Sequence, residues 1–309
     1  MCGIAGFVND MPIDVKCPVL QRMTDMIAHR GPDSEGHYID EHAALGHRRL
    51  SIIDLGGGQQ PIYNEDGSKV ITFNGEIYNY QTLREELIAA GHTFTTKSDT
   101  EVLLHGYEQW GVDLLQRVRG MFTFVIWDKN KQELFGARDH FGIKPFYYAK
   151  MNGTFMYASE IKSLLRHPDF VKELNAEALK PYMTFQYPAI GETFFKGVYK
   201  LPEGHYFTYR DGKMDIHRYY DEDFREGKQK LGELVNSIDQ TVCDSVKAHQ
   251  IADVEVGSFL SSGVDSSYVA AVARPQHTYS IGFGKGTYNE SQQAGELAEL
   301  LKLNNTAES

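Results

Sequence analysis

The feature of this sequence that most constrains its fold is a change of hydrophobic pattern at about Leu231. Before that residue, apolar positions form short β-like runs separated by turns, whereas Leu231, Leu234 and Ile238 recur at helical spacing. Strand-like and helix-like segments alternate from there onward. Such alternation is typical of a parallel α/β sheet, and a length of 309 residues is enough for about two domains. The sequence therefore predicts two domains of different class.

Turn and capping signals define the elements of the first part. Asn152-Gly153 is a strong hairpin signal, and Ser98 with Glu101 predicts a capping box at the start of a helix that Gly111 ends. A second helix is expected at 80–90, ending before Gly91. The expected strands are 2–8, 69–74 (ending at Asn74-Gly75), 121–127, 133–138, 146–150 and 154–158.

The second part is expected to begin after a charged run at 221–230, which is typical of a solvated linker. We therefore expect domains at 1–210 and 231–309, joined by a linker at 211–230. Elements of the second domain are expected as a helix from 231 to 246, a strand at 254–260, a helix at 266–273, a strand at 278–283 and a helix at 290–303.

Composition excludes several classes of protein. The 31 basic and 42 acidic residues give a net charge of −11, which argues against binding to nucleic acids or anionic membranes. Three cysteines are too few for a disulfide framework, so a reducing, cytoplasmic location is expected. The longest apolar stretch, 121–127, is too short to span a bilayer, and no secretory signal is visible. Twelve histidines occur without a metal-binding motif, so no metal site is expected.

A cysteine directly after the initiator methionine offers a specific catalytic arrangement. If Met1 is removed, Cys2 carries a thiol and a free α-amino group, whose ordinary pKa is about 7.7–8.0. The amine can then serve as the general base for its own thiol. Alone, Cys2 would fit a small buried residue better, so the prediction depends on its companions. Cys17 and Cys243 match no motif and are expected to be packing residues.

Six further motifs follow MCGIAGF (1–7) in order: HRGPDSEG (29–36), GHRRLSIIDL (46–55), FNGEIYNY (73–80), SDTE (98–101), ARDHFGIKPFYY (137–148) and ASEIKSLL (158–165). With them the chain resembles the class II (N-terminal nucleophile) glutamine amidotransferases, specifically the glutamine-hydrolysing asparagine synthetases. The resemblance covers essentially the whole chain. It implies an α+β Ntn-hydrolase-type αββα sandwich, followed by the start of an α/β adenine-nucleotide alpha-hydrolase-like (ATP pyrophosphatase) domain that is apparently truncated.

The resemblance implies a catalytic role for Cys2. The thiol would attack the glutamine carboxamide, giving a glutamyl thioester and ammonia, and water would then release glutamate. The side-chain amide of Asn74 and the backbone N–H of Gly75 would form an oxyanion hole, each donor contributing about 2.7–4 kcal/mol.

The resemblance also implies how glutamine is held. Arg49 would bind the α-carboxylate, because a planar guanidinium matches it bidentately. Glu76 and Asp99 would bind the α-ammonium, although Asp99 alone could be a helix cap. The neighbouring Arg48 could pair with surface carboxylates. The remaining residues implied to line the pocket are Leu50, Ser51, Ile52 and Ile53.

The segment SSGVDSS (261–267) lies between an apolar strand and a helix. Such a turn presents N–H groups and the positive end of a helix dipole, although the Walker A lysine is absent. It resembles the pyrophosphate-binding loop S-G-G-x-D-S of ATP pyrophosphatases, with Ser262 in place of the first glycine. The resemblance implies ATP with Mg²⁺, and amidation of aspartate through β-aspartyl-AMP. The implied ATP-binding residues are Leu260, Ser261, Ser262, Gly263, Asp265, Ser266 and Ile281.

The family's synthetase domain continues past Ser309 and carries a later S-G-E-G-S-D-E motif, so we expect an N-terminal portion that hydrolyses glutamine. Acceptors such as a sugar phosphate or phosphoribosyl pyrophosphate are disfavoured by the 261–267 loop. A different carboxylate acceptor and a non-catalytic regulatory remnant of the fold remain alternatives. The expected partners are small molecules, glutamine, aspartate and ATP, and a homodimer is left open.

Overall fold

The computed structural model describes residues 1–187, 190–282 and 290–308, and the chain divides into two compact units. Unit 1 is Met1–Asp223 and unit 2 is Phe224–Ser309. Unit 1 extends beyond the expected boundary at residue 210, because Lys213–Arg218 pairs with His205–Arg210 along its whole length. The charged run at 221–230 is exposed throughout, which agrees with a solvated segment.

Unit 1 consists mainly of antiparallel strands. Its strands are β1 (Gly3–Val8), β2 (Ser34–Ile39), β3 (Ala43–Arg49), β4 (Ile62–Tyr63), β5 (Lys69–Ile77), β6 (Gly120–Asp128), β7 (Glu133–Arg138), β8 (Tyr147–Met151), β9 (Thr154–Ala158), β10 (Val198–Lys200), β11 (His205–Arg210) and β12 (Lys213–Arg218). Its α-helices are α1 (Ile13–Asp25), α2 (Tyr80–Ala89), α3 (Asp99–Trp110), α4 (Ile161–Leu164) and α5 (Leu179–Phe185), with 3-10 turns at Gly111–Gln116 and Ala176–Ala178.

Two six-stranded sheets form the centre of unit 1. Their strand orders are β10-β8-β9-β1-β3-β2 and β12-β11-β7-β6-β5-β4. Apolar side chains from both sheets, including Leu45 and Phe155 from the first and Val125 and Phe207 from the second, form one buried cluster between them. A second cluster joins the first sheet to α1 and α4, and α3 lies against β5 of the second sheet. These layers are the expected αββα sandwich.

Local signals placed several elements of unit 1 correctly. Asn152 and Gly153 have φ values of 50° and 82°, so the β8–β9 hairpin turns through two left-handed residues as its sequence predicts. The strand expected to end at Asn74-Gly75 instead continues to Ile77. It continues because both residues pair with the neighbouring strand β6, so this dipeptide is not a turn.

Helix α1 was not expected from the sequence. Its buried face includes Lys16, whose ammonium donates to the carbonyls of Asp40 and Glu41 at 3.1 and 2.6 Å. A buried lysine and an internal Pro18 obscure the apolar periodicity of this segment. The packing role expected for Cys17 is wrong, because this residue lies on the exposed face of α1. Cys243 is only partly buried.

The start of α3 has half of the expected capping box. Ser98 is the N-cap, and its hydroxyl accepts from the backbone N–H of Thr100 at 3.2 Å. The Glu101 carboxylate does not accept from the backbone N–H of Ser98, as the second half of a capping box would require. Its carboxylate accepts instead from the backbone N–H groups of Thr95 and Thr96, each at 2.7 Å, and so fixes the loop that precedes the helix. Gly111 ends α3 as expected, with φ of 57°.

Unit 2 contains a small parallel sheet, as the alternating pattern predicts. Its elements are α6 (Leu231–His249), β13 (Ser258–Phe259), α7 (Val264–Ala273), β14 (His277–Ile281), α8 (Ser291–Leu301) and β15 (Asn304–Glu308), with strand order β13-β14-β15. The strand expected at 254–260 is reduced to two residues, because only these pair with β14. The end of the strand expected at 278–283 lies outside the described residues.

The buried cluster of unit 2 is small. It comprises Leu260, Ala270, Ala294 and Ala298. Helix α6 has no buried side chain among the residues that the structure describes, and Leu231 on it is 77% exposed. Over the described part of the chain, no helix combines the length and apolar character needed to cross a membrane.

Candidate active site

A cavity of about 380 Å³ lies beside the start of β1 in unit 1. It brings together most of the residues that the sequence predicts to act on glutamine, namely Cys2, Arg49, Leu50, Ile52, Ile53, Asn74, Gly75, Glu76 and Asp99. Ser51 is not among its lining residues; its backbone N–H donates to the Asp33 carboxylate at 2.8 Å. Residues from four separate motifs therefore converge on one cavity.

The thiol of Cys2 lies at one wall of this cavity. Its Sγ accepts from the backbone N–H of Leu50 at 3.4 Å, and the Arg30 side chain donates to the Cys2 carbonyl at 2.9 Å. Burial raises the pKa of the Cys2 thiol above its ordinary value. Because the thiol is therefore mainly protonated at neutral pH, its nucleophilic form requires a base.

Asn74 carries an unusual polar group. The residue is 1% exposed, and its side-chain nitrogen Nδ2 has no hydrogen-bond partner among the residues that the structure describes. A buried donor left unpaired costs about 1–3 kcal/mol. At neighbouring Gly75 a Cβ would lie 2.2 Å from the Met121 carbonyl oxygen, so β6 excludes any side chain there. The cavity thus keeps an amide donor available for a ligand beside a glycine backbone.

The structure separates the two adjacent arginines. Arg49 is 7% exposed, and its Nη2 donates to the carbonyls of Ile53 and Asp54 at 3.1 and 2.7 Å. Gly58 packs against this guanidinium, since a Cβ there would lie 2.7 Å from Nη2. Arg48 instead pairs with surface carboxylates. Arg49 is therefore the arginine positioned to meet an anion in the cavity.

Asp99 faces the cavity from the first residue of α3. It is 5% exposed, and its Oδ2 accepts from the backbone N–H of Ile77 at 3.0 Å. Burial, helped by the negative charge of Glu76, raises the pKa of Asp99 to about 7. A cation bound beside Asp99 would favour its ionised form, so the cavity is suited to an ammonium group.

Several lining residues were not predicted from the sequence to lie at this site: Gly58, Gln60, Phe73, Ser98, Thr100, Met121, Ile143 and Lys144. Two of them are positioned by Asp139, which is fully buried and accepts from the backbone N–H groups of Ile143 and Lys144 at 2.9 and 3.0 Å. Arg138 donates to the Lys144 carbonyl at 2.7 Å. The motif at 137–148 is a signal for this loop, but its spacing assigns no role to single residues.

In unit 2, Ser266 organises the predicted phosphate-binding loop. Its hydroxyl lies 2.8 Å from the Ser261 hydroxyl and accepts from the Ser261 backbone N–H at 3.3 Å. Gly263 precedes α7, while Ser262 and Asp265 are exposed.

The two residues predicted to lie near adenine are placed differently in unit 2. The Leu260 side chain is 2% exposed within the buried cluster, whereas Ile281 is 61% exposed.

Comparison with known proteins agrees with these two regions. A family described as "Glutamine amidotransferase domain" matches residues 1–220, and one described as "Asparagine synthase" matches residues 237–308. Since the first covers more than half of the chain, the protein belongs to the glutamine amidotransferase family. The resemblance to glutamine-hydrolysing asparagine synthetases is thereby confirmed for both regions.

Several curated relatives are named as glutamine-hydrolysing asparagine synthetases. "Asparagine synthetase [glutamine-hydrolyzing] 1" of Bacillus subtilis strain 168 is 44% identical over 313 residues, which cover 99% of this chain and 49% of the relative. "Amidase chry2" of Gibberella zeae is 35% identical over 295 residues, covering 88% of this chain and 42% of the relative. The chain spans about half the length of these relatives.

Solved structures show the fold. The glutamine phosphoribosylpyrophosphate (PRPP) amidotransferase from B. subtilis, complexed with ADP and GMP, has a TM-score of 0.54 at 16% identity, covering 99% of this chain and 65% of that chain. A structure titled as the allosteric regulatory enzyme of purine biosynthesis has a TM-score of 0.53 at 14% identity, covering 99% and 80%. These neighbours support the Ntn-type fold class.

Proposed function

We propose that unit 1 hydrolyses glutamine to glutamate and ammonia through a thioester on Cys2. The observation that carries the proposal is the unpaired Nδ2 of buried Asn74 in the cavity that also contains Cys2, Arg49 and Asp99. An amide donor kept without a partner is the group that a developing oxyanion needs. The arginine and the buried aspartate provide one cationic and one anionic contact, which match the two charged ends of a free amino acid.

The chemistry balances with residues of this chain. After removal of Met1, the free amine of Cys2 takes the thiol proton, and the thiolate attacks the carboxamide carbon of glutamine. The tetrahedral oxyanion receives hydrogen bonds from Asn74 Nδ2 and the Gly75 N–H. As the C–N bond breaks, the ammonium of Cys2 returns its proton to the leaving nitrogen, which departs as ammonia. Water then adds to the thioester and releases glutamate with the free thiol.

The amine of Cys2 exists only in a chain without Met1, since an amide nitrogen is not basic. Glutamate release should therefore be measured on samples with and without Met1, verified by mass spectrometry. We expect release only from the processed form, and loss of at least about 10⁴-fold in Cys2→Ala. The matched control is Cys17→Ala, because that thiol is exposed on α1. Equal glutamate release from the chain with Met1, the chain without Met1, Cys2→Ala and Cys17→Ala would refute the proposal.

Covalent labelling gives a second readout for the same site. A glutamine analogue with an electrophilic group in place of the carboxamide should modify Cys2 once per chain, and excess glutamine should protect it. Labelling of Cys17 or Cys243 at the same rate would show that the cavity does not direct the reaction. A reactive thiol also suits a reducing compartment, so we propose a cytoplasmic enzyme.

We further propose that the ammonia serves ATP-dependent amidation of a carboxylate, with aspartate as the acceptor. This rests on the asparagine synthase match and the names of the relatives. A different carboxylate acceptor remains the alternative. The SSGVDSS loop fits ATP in unit 2, because Gly263 and the N-terminus of α7 are accessible to phosphate. The exposed carboxylate of Asp265 provides an oxygen ligand of the kind that Mg²⁺ prefers.

A further inference from the structure

A cluster of histidines and glutamates lies in unit 1 outside the cavity, and sequence spacing did not reveal it. Its members, hereafter the His–Glu cluster, are Glu65, His92, His105 and Glu108. One potential ligand atom of each lies within 4.8 Å of the others. They come from the turn between β4 and β5, the segment after α2, and the body of α3. Three separate segments thus direct metal-binding groups to one point.

The two histidines are oriented for coordination. Nδ1 of each faces Glu65, at 3.3 Å from His92 and 3.4 Å from His105. Nε2 of His92 lies 3.2 Å from the Gln109 side-chain oxygen, whereas the buried Nε2 of His105 has no hydrogen-bond partner among the described residues and lies 3.6 Å from the Glu101 carboxylate. Metal-binding histidines almost always direct the second ring nitrogen to such an acceptor, which fixes the tautomer and ring orientation. Both rings thus turn Nδ1 toward the carboxylates of the cluster, and the ring of His92 also makes the second-nitrogen contact that is typical of a metal ligand.

The two carboxylates are held in a similar way. Glu65 Oε1 accepts from the backbone N–H of Thr93 at 3.1 Å. Glu108 Oε1 accepts from the side-chain amide of Asn64 at 2.7 Å, which leaves Oε2 at 3.0 Å from His105 Nδ1. Side-chain exposure falls from 39% at Glu65 to 1% at His105, so the cluster has one side open to solvent.

The donor set and the spacing fit Zn²⁺. Zn²⁺ binds histidine nitrogen and carboxylate oxygen at about 2.0–2.2 Å in tetrahedral sites, which places ligand atoms about 3.3 Å apart. Three nitrogen–oxygen contacts of the cluster, at 3.0, 3.3 and 3.4 Å, lie close to that separation, with the two at Glu65 made by different oxygens of its carboxylate. Mg²⁺ and Ca²⁺ take oxygen ligands instead. We propose a zinc-binding site in unit 1 whose four ligands are Glu65, His92, His105 and Glu108.

A bound ion would join the β4–β5 turn to α3, the helix whose first residue is Asp99. The site is independent of the glutaminase proposal, because none of its four ligands lines the Cys2 cavity. The competing explanation is a metal-free network in which protonated His105 bridges the carboxylates of Glu65 and Glu108.

The test uses the untagged chain, freed of metal with a chelator and titrated with Co²⁺, which reports its coordination through visible absorption. We expect one Co²⁺ per chain, displaced by Zn²⁺. At a hundredfold excess over the dissociation constant, Zn²⁺ should raise the unfolding midpoint by roughly 5–10 °C. Mg²⁺ should produce no shift. The same titration is repeated with Cys2→Ser. This variant would lose metal binding by the Cys2 thiol but would keep binding by the His–Glu cluster.

Variants decide between the two explanations. His105→Gln and Glu65→Gln should each weaken Zn²⁺ binding by more than about 100-fold. This is a larger loss than is typical when the changed residue only hydrogen-bonds to a metal ligand. His217→Gln, which changes an exposed histidine on β12, should bind as the wild type does. Glu65 is 39% exposed, so this variant reports on binding even if His105→Gln fails to fold. Unchanged affinity in Glu65→Gln, or imidazole NMR signals of protonated His105 that persist with excess Zn²⁺, would overturn the proposal.

Discussion

The Cys2 cavity and the Ser261 loop hold their polar groups in different ways. In the cavity, Asn74 and Asp99 are 1% and 5% exposed. Asp99 is anchored to Ile77, which is distant from it in sequence. The loop is held by hydrogen bonds between Ser261 and Ser266, and residues 262–265 between them are exposed. Burial therefore shifts a pKa and keeps a donor unpaired in the cavity, whereas the loop offers exposed groups.

The surroundings of the two regions differ as well. Unit 1 buries large side chains between its sheets, including Trp127 and Phe207 at 1% and 0% exposure. Among the described residues of unit 2, Leu231, Phe259 and Leu300 are each 77–78% exposed. Burying one such side chain contributes about 1.5–3 kcal/mol. We conclude that tertiary packing defines the geometry of the cavity more strictly than that of the loop, so substitutions should have larger effects in the cavity.

The largest of these effects is expected for Asn74→Ala. Loss of one oxyanion donor should lower kcat for glutamine hydrolysis by about 10²–10³-fold with little change in KM. Chemical denaturation should show no loss of stability from the Nδ2 donor itself, because it has no partner to lose among the described residues. Asn130→Ala, in an exposed turn, is the control. A rise in KM with unchanged kcat would assign Asn74 to ground-state binding and contradict the oxyanion role.

Asp99→Asn is expected to have a smaller effect on activity, through KM, and a separate effect on the free energy of unfolding. Without the carboxylate, KM for glutamine should rise by about 10–100-fold, the contribution of a hydrogen bond to a charged group. Because the folded-state pKa of Asp99 is raised to about 7, the folded chain binds this proton more tightly than the unfolded chain. The stability contribution of Asp99 is therefore lost as pH rises from about 4 to 7.

The asparagine side chain cannot ionise, so the variant escapes this loss. Asp99→Asn should match the wild type near pH 4 and exceed its free energy of unfolding at pH 8 by up to about 4 kcal/mol. Urea denaturation at both pH values measures the difference, with exposed Asp113→Asn as the control. A variant that is less stable than the wild type at pH 8 would show that Asp99 is not held in a raised-pKa state.

Sequence reasoning worked where one local signal decides the structure. The Asn152-Gly153 turn needs two left-handed residues, and Ser98 caps a helix within its own turn. Sequence reasoning failed where the structure depends on a partner that is distant along the chain. Lys16 is buried because the carbonyls of Asp40 and Glu41 accept hydrogen bonds from its ammonium group, and no local pattern shows this.

The same distinction applies to the two sites of unit 1. Motifs named Cys2 and Asn74, and the structure brings both to one cavity. Gln60 was missed because its place depends on contacts across the fold: its side chain accepts from the Phe73 backbone at 2.6 Å and donates to Thr100 at 3.1 Å. The His–Glu cluster was missed for the same reason, since its ligands come from three segments without motif spacing.

The smallest effects are expected in the loop of unit 2, where neighbouring serines provide a matched pair. Ser266→Ala removes the hydroxyl that accepts from the Ser261 N–H and lies within donating distance of the carbonyls of Ser261 and Gly263, at 3.2 and 3.1 Å. A typical hydrogen bond contributes about 0.5–1.5 kcal/mol, so amide exchange at Ser261 should accelerate by about 3–10-fold. Ser262→Gly should change it less than twofold, because Ser262 is exposed and the loop bonds run between Ser261, Gly263 and Ser266.

The same pair separates loop architecture from phosphate contact. If the loop binds nucleotide, MgATP should slow amide exchange across 261–266 in the wild type and in Ser262→Gly, because a glycine allows at least as close a backbone approach as serine does. Protection should weaken in Ser266→Ala, where the loop is no longer held by its central hydroxyl. Equal exchange with and without MgATP in every variant would exclude phosphate binding by this loop in the chain. The contrast between a buried cavity and an exposed loop would then be one between a reactive site and a structural strand–helix junction.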